Sequence, residues 1–270
     1  MRLTRRRALS AGAAIGAAGL AGCVSVPGAS ETKTETRTYA DVSAVSVENT
    51  NGDVAVTGEA DRRAVSVTIT MRTRFGRRQF ENVQIVDDTS GGALSLRTQE
   101  NGSGLPAPVS VTYDVRVPRD VSVTGASTSN GSVRVTEVAG DPLLRSTNGS
   151  VTARGVDGYV AAATTNGAVS VGDVGGLDGA IASNGSITAA VPALRRDVVV
   201  ATSNGPITLS LARTLDAAVD AQVSNGTISV RGLSLSNPEV SDRRVRGTLG
   251  AGTHALSVRT SNGRIDLTPL

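Results

Sequence analysis

Ser146-Thr-Asn-Gly-Ser-Val-Thr-Ala153 is the stretch whose reading decides the fold. Asn-Gly followed two residues later by Val or Ile recurs at Asn51, Asn130, Asn148, Asn166, Asn184, Asn204, Asn225 and Asn262. Four consecutive copies, at 130, 148, 166 and 184, are spaced 18 residues apart, and the next gaps are 20, 21 and 37. A fixed period of this length marks a repeat architecture and takes precedence over any local assignment. Aligned on the asparagine, small or apolar residues sit four and two places before it: Leu144 and Ser146, Ala162 and Thr164, Ala180 and Ala182. Val or Ile follows at 151, 169, 187, 207 and 228, with a second apolar residue two further on. Gly155-Val-Asp-Gly158 and Asp173-Val-Gly-Gly176 separate the blocks and read as turns. Each block is two short strands and two corners.

Two architectures fit that unit. In an antiparallel hairpin meander, Asn-Gly is a type I′ turn, with Ser146 facing Val151 and Leu144 facing Ala153. In a right-handed, single-stranded β-helix or β-solenoid, each coil of 18–21 residues pairs in parallel with the same positions of the next. Val151, Val169 and Ile187 then form one column and Asn148, Asn166 and Asn184 another. The constant spacing and the repeated identities favour the solenoid, since a meander needs no identity between positions. A buried asparagine column bonds amide to amide along such a stack, and glycine supplies positive φ at the corner.

The ends of the chain differ in kind. Arg5-Arg6-Arg7 precedes a weakly apolar run of Ala, Gly, Leu and Ile that ends at Leu20-Ala-Gly-Cys23. This run is shorter than the roughly 20 apolar residues of a membrane span and reads as an export signal over residues 1–22. The paired arginines match a twin-arginine signal. Leu20-Ala-Gly-Cys23 resembles a lipobox, which makes Cys23 a lipidated N-terminus and the membrane a partner through that lipid. Residues 23–39 are rich in Ser, Thr, Glu and Lys and read as a disordered tether, which leaves residues 40–270 for the solenoid.

Composition limits the rest. Cys23 is the only cysteine, so no intrachain disulfide forms. The chain has 27 basic and 24 acidic side chains, but four of the arginines belong to residues 1–22, and the remainder is 23 against 24. The basic footprint expected of a nucleic-acid binder is therefore missing. With no Trp, two Phe and three Tyr, the core must be built from small aliphatic residues, many of them β-branched and strand-forming. Val65 to Met71 and Val109 to Val117 alternate as strands. Gly102 to Pro108 reads as a loop, and Arg72 to Arg78 as a basic loop around Phe75.

The Asn-Gly-x-[Val/Ile]-x-[Val/Leu] repeats, Val117-Pro118 before them and the closing segment Gly250 to Leu267 resemble the "putative adhesin" β-strand-repeat domain of unknown function. That resemblance implies a right-handed β-helical domain of envelope proteins and carries no catalytic residues.

No catalytic, cofactor or metal site emerges. His254 is the single histidine and lies in no triad motif, and no calcium-loop pattern occurs. An alternative reading is a polysaccharide-active β-helix enzyme, with Asp87, Asp88, Asp157, Asp173, Asp178, Arg195 and Arg196 as candidates; two carboxylates about 5–9 Å apart in a cleft mark such chemistry. Sequons stand at Asn101, Asn130, Asn148, Asn184 and Asn225, and Asn101, outside the repeats, is the best glycosylation candidate. The leading expectation is a non-enzymatic, lipid-anchored, extracytoplasmic protein presenting a β-rod, for adhesion or envelope scaffolding, with a glycan or an envelope protein as partner.

Overall fold

The computed structural model describes residues 30–101 and 108–270. The export signal, Cys23 and the first part of the expected tether lie outside the described residues, as does most of the 102–108 loop. Nineteen strands follow one another: β1 (Glu31–Tyr39), β2 (Ala44–Glu48), β3 (Val54–Glu59), β4 (Val65–Thr73), β5 (Val83–Asp88), β6 (Ala93–Glu100), β7 (Val109–Pro118), β8 (Ser122–Asn130), β9 (Val133–Ala139) and β10 (Leu143–Asn148). Then come β11 (Val151–Asn166), β12 (Val169–Asn184), β13 (Ile187–Val191), β14 (Val198–Asn204), β15 (Ile207–Leu211), β16 (Ala217–Val230), β17 (Ser236–Ser241), β18 (Arg244–Leu249) and β19 (His254–Pro269). Short 3₁₀ turns at Arg77–Asn82 and Ser90–Gly92 flank β5.

The repeat unit stacks like on like. Leu144 lies between Ala126 and Ala162 in parallel register, and the row continues through Ala180, Val200 and Val258 to Ala221. A second row runs Val54, Val133, Val151, Val169, Ile187, Ile207, Ile265. Both rows are buried. Each Val or Ile contributes roughly 1.5–3 kcal/mol relative to an exposed side chain, so a narrow core without tryptophan suffices. The fold is a β-solenoid. Asn-Gly does not close a hairpin: Ser146 and Leu144 pair with neighbouring coils, never with Val151 and Ala153. The spacing that distinguished the two architectures reflects this parallel stacking.

The coils are not stacked in chain order. On the face before the corner, the parallel layers run β6, β2, β8, β10, late β11, late β12, β14, early β19, early β16. On the face after it they run β7, β3, β9, early β11, early β12, β13, β15, late β19, late β16. The first coil, β2–β3, is therefore held between the β6–β7 layer and β8–β9. The last strand, β19, slots between β14–β15 and β16. Nine parallel layers result among the described residues. Antiparallel strands close both ends: β4 on β7, β1 on β4 and β5 on β6 at one end, β18 on β16 and β17 on β18 at the other.

One expectation is corrected here. Residues 31–39, assigned to the tether, form β1, paired with β4 along its whole length from Glu31↔Thr73 to Tyr39↔Val65. Glu-Thr-Lys-Thr-Glu-Thr-Arg-Thr-Tyr has little to bury, but an edge strand has only one neighbour to satisfy. Its alternate threonines favour extended backbone. Charges on such an edge discourage pairing with other chains, and β17, exposed at every residue and carrying Pro238 and Glu239, does the same at the opposite end.

Candidate interaction surface

The asparagine corners form one continuous edge. Asn148 Nδ2 donates to Asn130 Oδ1 at 2.9 Å, Asn166 to Asn148 at 2.9 Å, Asn184 to Asn166 at 3.0 Å and Asn204 to Asn184 at 2.9 Å. The ladder continues from Asn262 to Asn204 at 3.0 Å and from Asn225 to Asn262 at 3.1 Å. It therefore follows the stack and not the chain. Asn51, at the N-terminal end, donates instead to the Val109 carbonyl at 3.0 Å, at the start of β7 in the layer beyond it.

The ladder exists, but its side is opposite to expectation. All seven of its asparagines are exposed. Positions −4 and −2 point inward, so strict alternation would send the asparagine inward too. The chain bends first: in each of these coils positions −1 and 0 are consecutive outward residues, as at Thr147 and Asn148, apart from the half-buried Ser183. Each inner asparagine donates one amide hydrogen to one neighbour and accepts one on its Oδ1 from the other, and turns its second amide hydrogen to water.

The buried partner of this edge is the residue two places earlier. Thr128, Ser146, Thr164, Thr202 and Thr260 are buried, and their hydroxyls donate to the carbonyls of Gly52, Gly131, Gly149, Gly185 and Gly205 at 2.8–3.0 Å. Ala182 and Val223 interrupt this column. Its signal is legible as Ser/Thr-x-Asn-Gly, although size alone groups Ser146 and Thr164 with Ala182. At the N-terminal end, Asn49 takes the hydroxyl's place, bonding the Gly52 and Val111 carbonyls at 2.9 and 2.7 Å. Thr98 donates to Asn49 Oδ1 at 2.9 Å and meets Tyr113 Oη at 2.7 Å. Burial pushes the Tyr113 phenol up to about 12, against the opposing effect of its bond to Thr98, so this plug is neutral and hydrogen-bonded.

The corner glycines are required by the stacking more than by the turn. A β-carbon on Gly149, Gly167, Gly185 or Gly205 would run into the carbonyl oxygen of the glycine in the adjoining coil. Their φ values of 151–158° border on extended backbone, so close approach is the stronger reason for glycine here.

Outside the ladder runs a row of hydroxyls at the −1 position: Thr50, Ser129, Thr147, Thr165, Ser183, Ser203, Ser261 and Ser224 in stack order. The coil spacing of about 4.8 Å gives this edge a regular lattice of donors and acceptors. Beside it lie exposed Leu143, Ile181 and Val199. The ladder and the hydroxyl row carry no charge themselves, and Arg145 shares a shallow groove with Thr147, Thr165, Ile181 and Ser183 beside them.

The enzyme candidates do not assemble into one centre. Asp87 pairs with Arg37 at 2.5 Å, and Asp88 accepts from Ser90. Asp157 and Asp173 line a shallow groove at the opposite corner with Arg119 and Glu137, where Arg119 meets Glu137 at 3.1 Å. Asp178, Arg195 and Arg196 do come together: Asp178 is buried under bonds from both guanidinia. Arg195 also reaches Asp141 at 2.6 Å and covers the Tyr159 ring at 4.4 Å. Burial pushes Asp178 up, yet the two arginines outweigh it and hold it below its ordinary value. Asp141 is lowered by the Tyr159 backbone N–H and by Arg195. Glu59, Asp88, Asp216 and Asp220 are lowered too. A general acid needs a shift in the opposite direction; Asp178 and Asp141 are anions that Arg195 ties across coils, and Asp88 is held by Ser90 within its own turn. His254 begins β19 opposite Ala217, and its neighbouring carboxylates are committed elsewhere, Asp216 to Thr253 and Asp197 to the Ala255 N–H. Asn101 is exposed at the end of β6. Among the described residues no Cys/His/Asp/Glu group is arranged to hold a metal, and no helix is long and apolar enough to cross a membrane.

A family profile described as Toastrack DUF4097 matches residues 33–268. No curated protein matches the chain in sequence. Among solved structures, a putative lipid binding protein from Parabacteroides distasonis is similar at 16% identity and TM-score 0.44, over 87% of this chain and 96% of that one. A putative adhesin from Bacteroides fragilis follows at 13% identity and TM-score 0.39, over 90% and 100%. A putative cell adhesion protein from Clostridium sporogenes is similar at 9% identity and TM-score 0.37, over 89% and 100%.

Proposed function

The chain belongs to the Toastrack DUF4097 family, and from that premise we propose that it is a non-enzymatic surface protein whose β-rod serves adhesion or envelope scaffolding. The observation that carries this reading is the edge formed by the asparagine ladder and the hydroxyl row beside it. It repeats one donor–acceptor set at every coil, and a repeating surface complements a repeating partner better than a single small molecule. A glycan polymer or an extended envelope protein has that character, whereas a nucleic acid demands basic charge that the edge lacks.

Export fits the same reading. The arginine pair and the Leu20-Ala-Gly-Cys23 motif address the chain out of the cytoplasm through a twin-arginine route and place a lipid on Cys23. One acyl chain holds a protein only marginally and two hold it stably, so the modification decides how permanent the anchoring is.

A glycan array probed with residues 23–270, together with crosslinking in whole cells, tests the function. Retention on a polymeric glycan or on one envelope protein, reduced by replacing Thr147, Thr165 and Ser203 with lysine, is expected. Failure to bind any glycan, cell or envelope protein overturns it. Fatty-acid labelling of cells, with Cys23→Ser as the control, tests the anchor.

A further inference from the structure

The β4 end of the stack combines three features. The segment that runs from the last two residues of β4 through its loop into the next 3₁₀ turn, Arg72-Thr-Arg-Phe-Gly-Arg-Arg78, carries four arginines and no acid. Phe75 at its tip is 70% exposed, and a β-carbon built on neighbouring Gly76 would meet nothing within 4 Å, so the tip protrudes. Glu31 lies opposite Thr73, so the chain enters the fold beside this loop. Residues 23–30 then span at most about 25 Å.

We propose that the Arg72–Arg78 loop docks on the anionic lipid surface of the membrane that carries Cys23, with Phe75 inserted at the headgroup level. The inference rests on the reading that Cys23 is lipidated. A lipid at residue 23 and a strand that starts at residue 31 leave too short a connection to lift this end away. The face nearest the membrane is therefore the one with the protruding aromatic and the arginines. Arg77 also pairs with Glu31 at 2.9 Å, which fixes the loop against β1. Among the described residues no carboxylate pairs with Arg72, Arg74 or Arg78. Of the other acids at this end, Glu35 and Asp87 are paired with Arg37 and Asp88 with Ser90, while Glu81 lies within the Arg77–Asn82 turn and Glu100 ends β6 opposite Val83. A basic segment flanking an aromatic matches the charge and the interfacial polarity of an anionic leaflet.

The test uses two accidents of composition: Cys23 is the only cysteine, and the chain has no tryptophan. Every described element lies within Glu31–Pro269, so residues 23–270 hold the whole described fold. That chain, carrying Phe75→Trp, is coupled through Cys23 to a maleimide lipid in phosphatidylglycerol or phosphatidylcholine vesicles. This reproduces the attachment whether or not cells lipidate the residue, so failure of the docking and failure of the lipidation reading remain separable. The expected result is a blue-shifted tryptophan, quenched by acyl-chain bromines, on phosphatidylglycerol only. Each arginine near an anionic surface counts for about fivefold. Arg74→Ser with Arg78→Ser should therefore lower the inserted-to-free ratio about 30-fold, with the thermal midpoint unchanged. A tryptophan that stays in water on phosphatidylglycerol, equal insertion in the double variant, or soluble alginate competing as well as the vesicle would overturn the proposal.

Discussion

The middle of the rod and its two ends solve different problems. From β8 to β15 the chain adds coils in order, each with the same corner, the same outward asparagine and nearly the same buried hydroxyl. At both ends the order breaks: β2–β3 and β19 occupy the second parallel layer, and antiparallel strands cover what lies outside them. A repeat can extend indefinitely, but each exposed layer offers unpaired backbone to other chains. The ends therefore give up repetition for closure, and the contrast shows that stacking alone does not define a finished molecule.

The strongest way to break that contrast is to remove β19. A chain ending at residue 252 should lose hydrogen-exchange protection throughout β16 to β18 as well, since β16 pairs with β19 along 13 registered positions. Native protection of β16 to β18 in the truncated chain would contradict the slotted topology. Next, Gly167→Ala forces a β-carbon into the Gly149 carbonyl and should cost about 3 kcal/mol or more in urea unfolding. Gly76→Ala in the end loop, with φ 88° but open space, should cost only about 1 kcal/mol. Thr164→Val, which leaves the buried Gly149 carbonyl without its hydroxyl, should cost about 1–2 kcal/mol.

The smallest effect concerns pH. Asp178 and Asp141 have folded pKa values below their unfolded ones. Their contribution is therefore present above the unfolded carboxylate pKa, about 3.9, and is lost as pH falls through the folded values. The thermal midpoint should fall as the pH drops below about 4. Arg195→Gln, which removes a shared partner of both carboxylates, should flatten that slope.

Much of the middle was legible in the sequence and much of the ends was not, for a physical reason. An 18-residue period with constant identities at Asn148, Asn166 and Asn184 favours stacked equivalents over a meander, and the Val151, Val169, Ile187 column followed from it. The orientation of the asparagines was hidden because alternation holds along a straight strand, whereas Thr147 and Asn148 sit where the strand bends. The end strands carry no repeat, and Glu31 to Tyr39 has no apolar pattern because an edge needs none. The slotting of β19 did leave a trace: Thr-Ser-Asn-Gly-x-Ile-x-Leu occurs at Thr202 and again at Thr260, but Val223 stands at that position in the intervening copy. For the candidate surface, the residue types were visible and the face they occupy was not.

The slotted last strand also sets a timetable. In an ordinary solenoid, repeats can add one by one behind the growing chain, each resting on the last. Here the layer between β14–β15 and β16 is β19, which is made only after β16, β17 and β18. The C-terminal third must therefore wait, with a gap in its stack, until Pro269 is available.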